Sequence, residues 1–298
     1  MYIKNEDIAN FKQHLIENER TTETISKYIS DIKEFCQWNN NQSVTKQTLI
    51  DYKSHLQGKQ LNPVTINSKL SVINGLFKFL GFNDYCVRFL KIQRKVFRSE
   101  EKELTKNEYE RLIQAAYKQN KEQLALIIQT IGATGIRISE LKYITKDAVI
   151  NGIANIQLKG KNRTILIPKS LKKKLLPFIK KHQLEKEIFI TKNGTSLDRK
   201  QIWREMKHLC KEAKVDESKV FPHNLRHLFA VTFYKVSKDI VKLADVLGHS
   251  SINTTRIYLI STETALTPDI PRTKELHNKV AKNLFVALGE SFLNIFII

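Results

Sequence analysis

Four short stretches of this chain carry the residue types that handle phosphate and protons. In ATGIRISELKYI, Ala133 to Ile144, Gly135 permits a sharp turn and puts Arg137 in the first turn of a new helix. First-turn amides point at anions, and a guanidinium adds a two-pronged fork for phosphate. A cation at a helix N-terminus opposes the macrodipole, so Arg137 calls for an anion. Glu140, three residues on, shares its face and is placed to hold it. The blander reading of these two is an exposed Arg–Glu helix pair.

In FPHNLRHLFA, Phe221 to Ala230, His223 and Arg226 are three apart and share a helix face. His227 is four residues from His223, a spacing that can clamp zinc. There is no HExxH and no evident third ligand, so a His/Arg pair facing phosphate fits better, with His227 as a structural core residue. In LKGKNRTILIP, Lys159 sits where a strand enters a tight turn, and Lys161 follows. Either lysine could be presented to a site; taken alone, both read as a solvated hairpin tip. In LGHSSINTTRIYL, Leu247 to Leu259, Gly248 ends one helix, His249 occupies the turn, and Tyr258 lies at the end of the next.

A phenol is a difficult nucleophile. With a pKa of about 10, roughly one part in a thousand is ionised at pH 7, a handicap of about 4 kcal/mol. Cations or a base must assist it, and Arg137, Arg226, His223 and His249 are the residues available. An alkoxide leaving from a phosphodiester needs a proton in turn, which Lys159 or Lys161 can supply. Each residue is weak evidence alone, but the ordered set fills every role of a phosphoryl transfer that needs no metal.

The surrounding elements are mostly helices. Apolar residues recur at helical spacing over Asp7 to Glu17, from Thr22 through Phe35, from Thr45 through Leu56, and from Pro63 to Leu80 before Gly81. These predict a compact helical unit over residues 1–90. The charged run 91–103 reads as a basic linker. Thr105 and Glu108 have capping-box spacing, and a helix starts there. An apolar helix over Glu122 to Ala133 follows. Strands at Ile153 to Leu158 and Arg163 to Ile167 form a hairpin through Lys-Gly-Lys-Asn. A basic helix covers Ser170 to Lys181, and a short strand covers Ile188 to Ile190. Further helices cover Asp198 to Ala213, Asn224 to Val236, Asp239 to Leu247 and Ile252 to Leu259.

Composition narrows the partners. Fifty Lys and Arg against thirty Asp and Glu give a net charge of +20, which calls for a polyanion, either nucleic acid or an anionic membrane surface. No apolar run approaches the ~20 residues that span a bilayer, and no secretory signal is evident. Three scattered cysteines suit a reducing cytoplasm. Nucleic acid is therefore the expected partner and a membrane is not.

With these residues in order, the chain resembles the tyrosine recombinases, or phage-type integrases, of a short bacterial Xer-like or mobile-element type. ATGIRISEL, LKGKNRTILIP, HNLRH and LGHSSINTTRIY carry the likeness across Ala133 to Tyr258, and the helical N-terminal part resembles the family's core-binding domain. The resemblance implies a mainly α fold with a small β-sheet. Residues 1–90 would be a helical core-binding (SAM-like) domain, and residues 104–298 an α+β tyrosine-recombinase catalytic domain. The two would clamp double-stranded DNA.

It also implies roles. Tyr258 attacks the scissile phosphate to give a 3′-phosphotyrosyl bond and a free 5′-hydroxyl. Arg137 and Arg226 bind the non-bridging oxygens, and Lys159, favoured over Lys161, protonates the departing 5′ oxygen. His223 assists proton transfer with the tyrosine, His249 hydrogen-bonds the phosphate, and Glu140 supports Arg137. No metal, ATP or other cofactor is implied. Four protomers on paired DNA sites would exchange strands in integration, excision or resolution, and accessory DNA-bending proteins are a further partner class. The hairpin is one residue longer than a common family form. The tail, 261–298, has a Pro-containing part followed by a helical stretch from Glu275 to Ile298 ending in FLNIFII; packing on a partner, packing on its own chain and an atypical terminus with little function are its three open readings. Two alternatives stay open: a type IB topoisomerase-like enzyme relaxing supercoils, and a DNA-binding regulator without catalysis.

Overall fold

The computed structural model describes residues 1–92, 102–158, 161–249 and 251–259, leaving out within them the side chains of Leu158, Lys161, Ile257 and Tyr258. Lys159, most of the expected linker, and the tail with its expected helix lie outside the described residues. The chain divides into two units, Met1–Arg94 and Lys95–Ile298.

Unit one holds four helices: α1 (Asn5–Glu17), α2 (Thr22–Trp38), α3 (Lys46–Gly58) and α4 (Pro63–Phe79). Their starts are chemically marked. Thr21, Thr45 and Asn62 each accept a backbone N–H of the following turn, and Pro63 opens α4 where a missing N–H costs nothing. The cap of α2 is Thr21. Phe35, Tyr52, Leu56, Ile73 and Phe77 form the centre of the core. Buried Asn74 binds both the N–H and the carbonyl of Val87, which fastens the chain leaving the unit.

Unit two is built around α6 (Glu122–Thr134), which is buried along most of its length. It packs against α5 (Lys106–Lys118) and α11 (Pro222–Ser237). Close approach to α5 depends on Gly132, where a Cβ would meet the Tyr109 ring at 2.7 Å. After α7 (Lys146–Asn151), strands β1 (Ile153–Leu158) and β2 (Lys161–Leu166) pair antiparallel, with Ile156 opposite Arg163 and Leu158 opposite Lys161. Next come α8 (Lys169–Lys181), α9 (Arg199–His208), α10 (Cys210–Ala213), α12 (Ile240–Leu247) and α13 (Ile252–Leu259). Among the described residues no helix is long and apolar enough to cross a membrane. Cys36, Cys86 and Cys210 are free thiols.

The fold is mainly helical with one small two-stranded sheet, as the sequence predicts. Four local expectations change. Arg137 does not sit in the first turn of an α-helix; it is the extended N-cap of a 3-10 segment, Ile138–Tyr143. The strand β2 begins at Lys161 rather than Arg163, so only Lys159 and Gly160 lie between the paired strands. No strand forms over Ile188 to Ile190; isolated bridges flank it, Thr145 with Glu187 and Ile190 with Ser196, because neither finds a continuing partner strand. The helix expected over Asp198 to Ala213 is interrupted at Leu209.

The α6 terminus positions the site. Gly135 ends the helix at φ 63°, and a Cβ there would strike the Phe229 ring on α11. Both a left-handed backbone and a close helix contact therefore require glycine. Gly135→Ala is expected to destabilise the protein by about 2–4 kcal/mol in urea unfolding. Gly58→Ala, where a Cβ meets nothing within 4 Å, is expected to leave it unchanged or slightly more stable.

Candidate active site

Past Gly135, buried Ile136 anchors the chain and Arg137 emerges in extended conformation. Glu140 folds back onto it. Its Oε2 accepts the Arg137 backbone N–H at 2.8 Å, and its Oε1 accepts Arg137 Nη1 at 3.0 Å. The Arg137 Nη2 also donates to the Gly248 carbonyl at 3.4 Å. Glu140 is 1% exposed, whereas the Arg137 side chain is 39% exposed. The guanidinium is thus held from behind and open in front.

A second arginine reaches the same carboxylate. Arg163 of β2 pairs through Nη2 with Glu140 Oε2, and its Nη1 donates to the Val246 carbonyl at 3.1 Å. Burial lowers the Arg163 pKa, and Glu140 opposes that shift. The sequence reading passed over Arg163. A signal for it existed: it lies in phase with buried Ile165 and Ile167, and an arginine on the core face of a strand demands a buried anion.

Arg226 lies on α11, where Phe221 is the N-cap and Pro222 the first helical residue. The apolar neighbours Leu225 and Phe229 pack inward and carry Arg226 with them to 2% exposure. Its Nη1 donates to the Gly135 carbonyl and its Nη2 to the Leu247 carbonyl, the latter at 2.6 Å. These carbonyls close α6 and α12, where helix dipoles are negative. The same Nη2 lies 3.1 Å from His249 Nε2. A guanidinium only donates, so Nε2 accepts and the imidazole proton sits on Nδ1. Nδ1 then donates to buried Thr255 Oγ1 at 2.9 Å, on α13. Burial pushes the His249 pKa down from 6.5 to about 4, and the charges of Arg226, Arg137, Arg163 and His223 push the same way. The ring is neutral at pH 7.

Arg137, Arg226 and exposed His223 line one cleft of about 500 Å³. Its far wall comes from α9, with Arg199, Lys200 and Trp203. Sequence reading missed this wall too. Its mark is the i, i+4, i+8 series Arg199, Trp203, Lys207, in which Lys207 Nζ lies 5.7 Å from the exposed Trp203 ring. His227, one turn after His223, is instead buried, with Nε2 3.9 Å from Glu103 Oε1. Among the described residues no group of three or more His, Cys, Asp or Glu side chains is placed to hold a metal ion.

Of the residues singled out by sequence, Arg137, Glu140, Arg226 and His249 meet in one hydrogen-bonded frame, and His223 stands beside it on the cleft. Tyr258 belongs to α13, the helix whose Thr255 holds His249, but its side chain is outside the described part. Lys159 lies outside the described residues, and Lys161 is placed as the first residue of β2. Two arginines lining one cleft are chemically suited to the paired oxygens of a phosphate or phosphodiester.

Residues 102–264 match the phage integrase family, and residues 8–81 match its N-terminal SAM-like domain. The tyrosine recombinase XerA of Thermococcus kodakarensis is 27% identical over 262 residues, covering 85% of this chain and 90% of the relative. The tyrosine recombinase XerD of Vibrio cholerae is 26% identical over 294 residues, covering 92% and 93%. Similar solved structures include a lambda integrase dimer bound to a core site, with a TM-score of 0.71 at 17% identity over 92% of this chain and all of that one. A lambda integrase tetramer bound to a Holliday junction has a TM-score of 0.70 at 17% identity, over 90% of this chain and 79% of that one.

The His249 shift has a consequence for stability. The unfolded ring titrates near 6.5 and the folded ring near 4, so the unfolded chain binds the extra proton between those values. Stability from this group is complete above about pH 6.5 and falls as the pH drops toward 4. Urea midpoints measured from pH 7 to pH 4 are expected to fall less steeply in His249→Gln than in the parent.

Proposed function

The chain belongs to the phage integrase family, the tyrosine recombinases, and we propose that it is a site-specific DNA recombinase that breaks and rejoins duplex DNA through a covalent bond to Tyr258. The observation that carries this is the convergence of Arg137 and Arg226 on one cleft, each anchored from behind. Such a pair is matched to the two non-bridging oxygens of a phosphodiester, whose charge grows as a fifth oxygen approaches phosphorus. Because the groups are already oriented, little reorganisation is needed at the moment of reaction.

The cleavage step divides among the residues as follows. The Tyr258 phenol oxygen forms a bond to phosphorus and loses its proton, with exposed His223 as the group that receives it. The bond to the 5′ oxygen breaks, and that oxygen takes a proton from Lys159, with Lys161 as the alternative donor. Lys161 pairs opposite Leu158 within the sheet, which favours Lys159. His249 holds Arg226 in the DNA-free protein. To donate to a phosphate it must gain a proton on Nε2, and a bound anion favours that gain. The phosphotyrosyl bond keeps the phosphodiester energy, so the 5′-hydroxyl can reverse the step without ATP or a resident metal.

The N-terminal unit is read as the core-binding domain and residues 104–298 as the catalytic domain, joined by a basic linker over 91–103. Four protomers on two DNA sites would exchange strands in pairs. The +20 charge supplies the sequence-independent part of the attraction to DNA.

Covalent trapping tests the reading. With nicked duplexes from the DNA flanking its own gene, in EDTA, the protein is expected to give an SDS-resistant adduct that Tyr258→Phe does not form. Arg226→Ala is expected to slow adduct formation by about 10²–10³-fold. Tight site-specific binding with no adduct would support the regulator instead. An adduct with supercoil relaxation by a monomer, and no synapsis, would support the topoisomerase-like enzyme.

A further inference from the structure

Arg163 has no part in the scheme above, yet it touches three of the elements that carry the site. It stands on β2, pairs with Glu140 in the 3-10 segment, and donates to the Val246 carbonyl near the end of α12. Its stem also fills the space beside Gly248 (φ 62°), where a Cβ would collide with it. Gly248 in turn precedes His249 and gives its carbonyl to Arg137. The Arg163 Nε is buried with no hydrogen-bond partner, a penalty that an apolar residue on this strand face would avoid. Local rules are broken in this way where function requires it.

Charge explains the requirement. Glu140 alone would pair with Arg137 and cancel most of the positive potential that Arg137 presents to the cleft. A second buried guanidinium on the same carboxylate leaves the group with one net positive charge, and Arg137 is the only one of the three substantially open to solvent. Glu140 can therefore fix Arg137 without neutralising it.

We propose that Arg163 is a positioning residue for DNA cleavage: by sharing Glu140 it keeps Arg137 both fixed and effectively cationic toward the scissile phosphate, and it ties the β-hairpin and the His249 turn to that same anchor. The proposal rests on the recombinase reading.

Its test compares two DNA substrates in single-turnover cleavage at saturating DNA. One carries a normal scissile phosphodiester. The other carries a methylphosphonate there, which has one negative charge fewer and needs less help from cations. Arg163→Met, uncharged and of similar length, is expected to cleave the phosphodiester about 10²-fold more slowly. On the methylphosphonate the loss should be several-fold smaller, with DNA affinity little changed. Arg163→Lys, which retains the charge but not the fork, should fall between Arg163→Met and the parent on the phosphodiester. Equal losses on both substrates would mean a purely structural role and overturn the proposal, as would a parental rate in Arg163→Met. If Arg163→Met fails to fold, the same comparison in Arg163→Gln, uncharged and polar, decides. A parent that forms no adduct on either substrate would overturn the recombinase reading and this proposal with it. A parent that cleaves while Arg163→Met is unaffected would overturn this proposal alone.

Discussion

Two guanidinium groups opening on one small cleft repel each other. The catalytic unit is arranged around the groups that offset this. Arg137 and Arg163 share the Glu140 carboxylate. Arg226 is held by carbonyls at the ends of α6 and α12, where unsatisfied oxygens and aligned peptide dipoles supply partial negative charge. One arginine is thus stabilised by a formal anion and the other by backbone.

That division sets what the surrounding helices must do. The carbonyls that bind Arg226 come from two helices with no sequence proximity, so α6, α11 and α12 must pack in fixed relation. Gly132 and Gly135 permit the close packing of α5 and α11 on α6, since a side chain at either would drive into Tyr109 or Phe229. The neutral His249 completes the frame. Its Nε2 accepts from Arg226 and its Nδ1–H donates to Thr255, so α13, the helix that carries Tyr258, is tied to the same arginine.

Much of this was legible in the sequence because the decisive signals are local. Gly135 and Gly248 mark left-handed helix ends, Pro222 marks a helix start, and the spacing of His223 and Arg226 follows from one helical turn. Glu140 could be paired with Arg137 because they are three residues apart. What escaped was set by tertiary contact. The strand phase of Arg163 with Ile165 and Ile167 was visible, but the buried carboxylate that receives it belongs to Glu140, on a distant element. With pairing from Lys161, Arg163 faces the core opposite Ile156. The α9 side of the cleft escaped because the Arg199, Trp203, Lys207 series marks a basic helix face but not the cleft it lines with Arg137. The 3-10 geometry after Arg137 escaped for a different reason. Glu140 captures the Arg137 backbone N–H, a competition that propensity alone does not register.

Gly135 serves both arginines at once. Its left-handed backbone releases the chain toward Arg137, and its carbonyl receives Arg226. The interval between the two anion-binding groups is therefore a property of a few main-chain bonds, not of two independently mobile side chains. A catalytic gauge made of backbone is insulated from most sequence drift. The walls around it are side chains from other elements, such as Trp203 on α9, and can be exchanged without resetting the gauge. The shape of the cleft can then change while the spacing of its anion-binding groups stays constant.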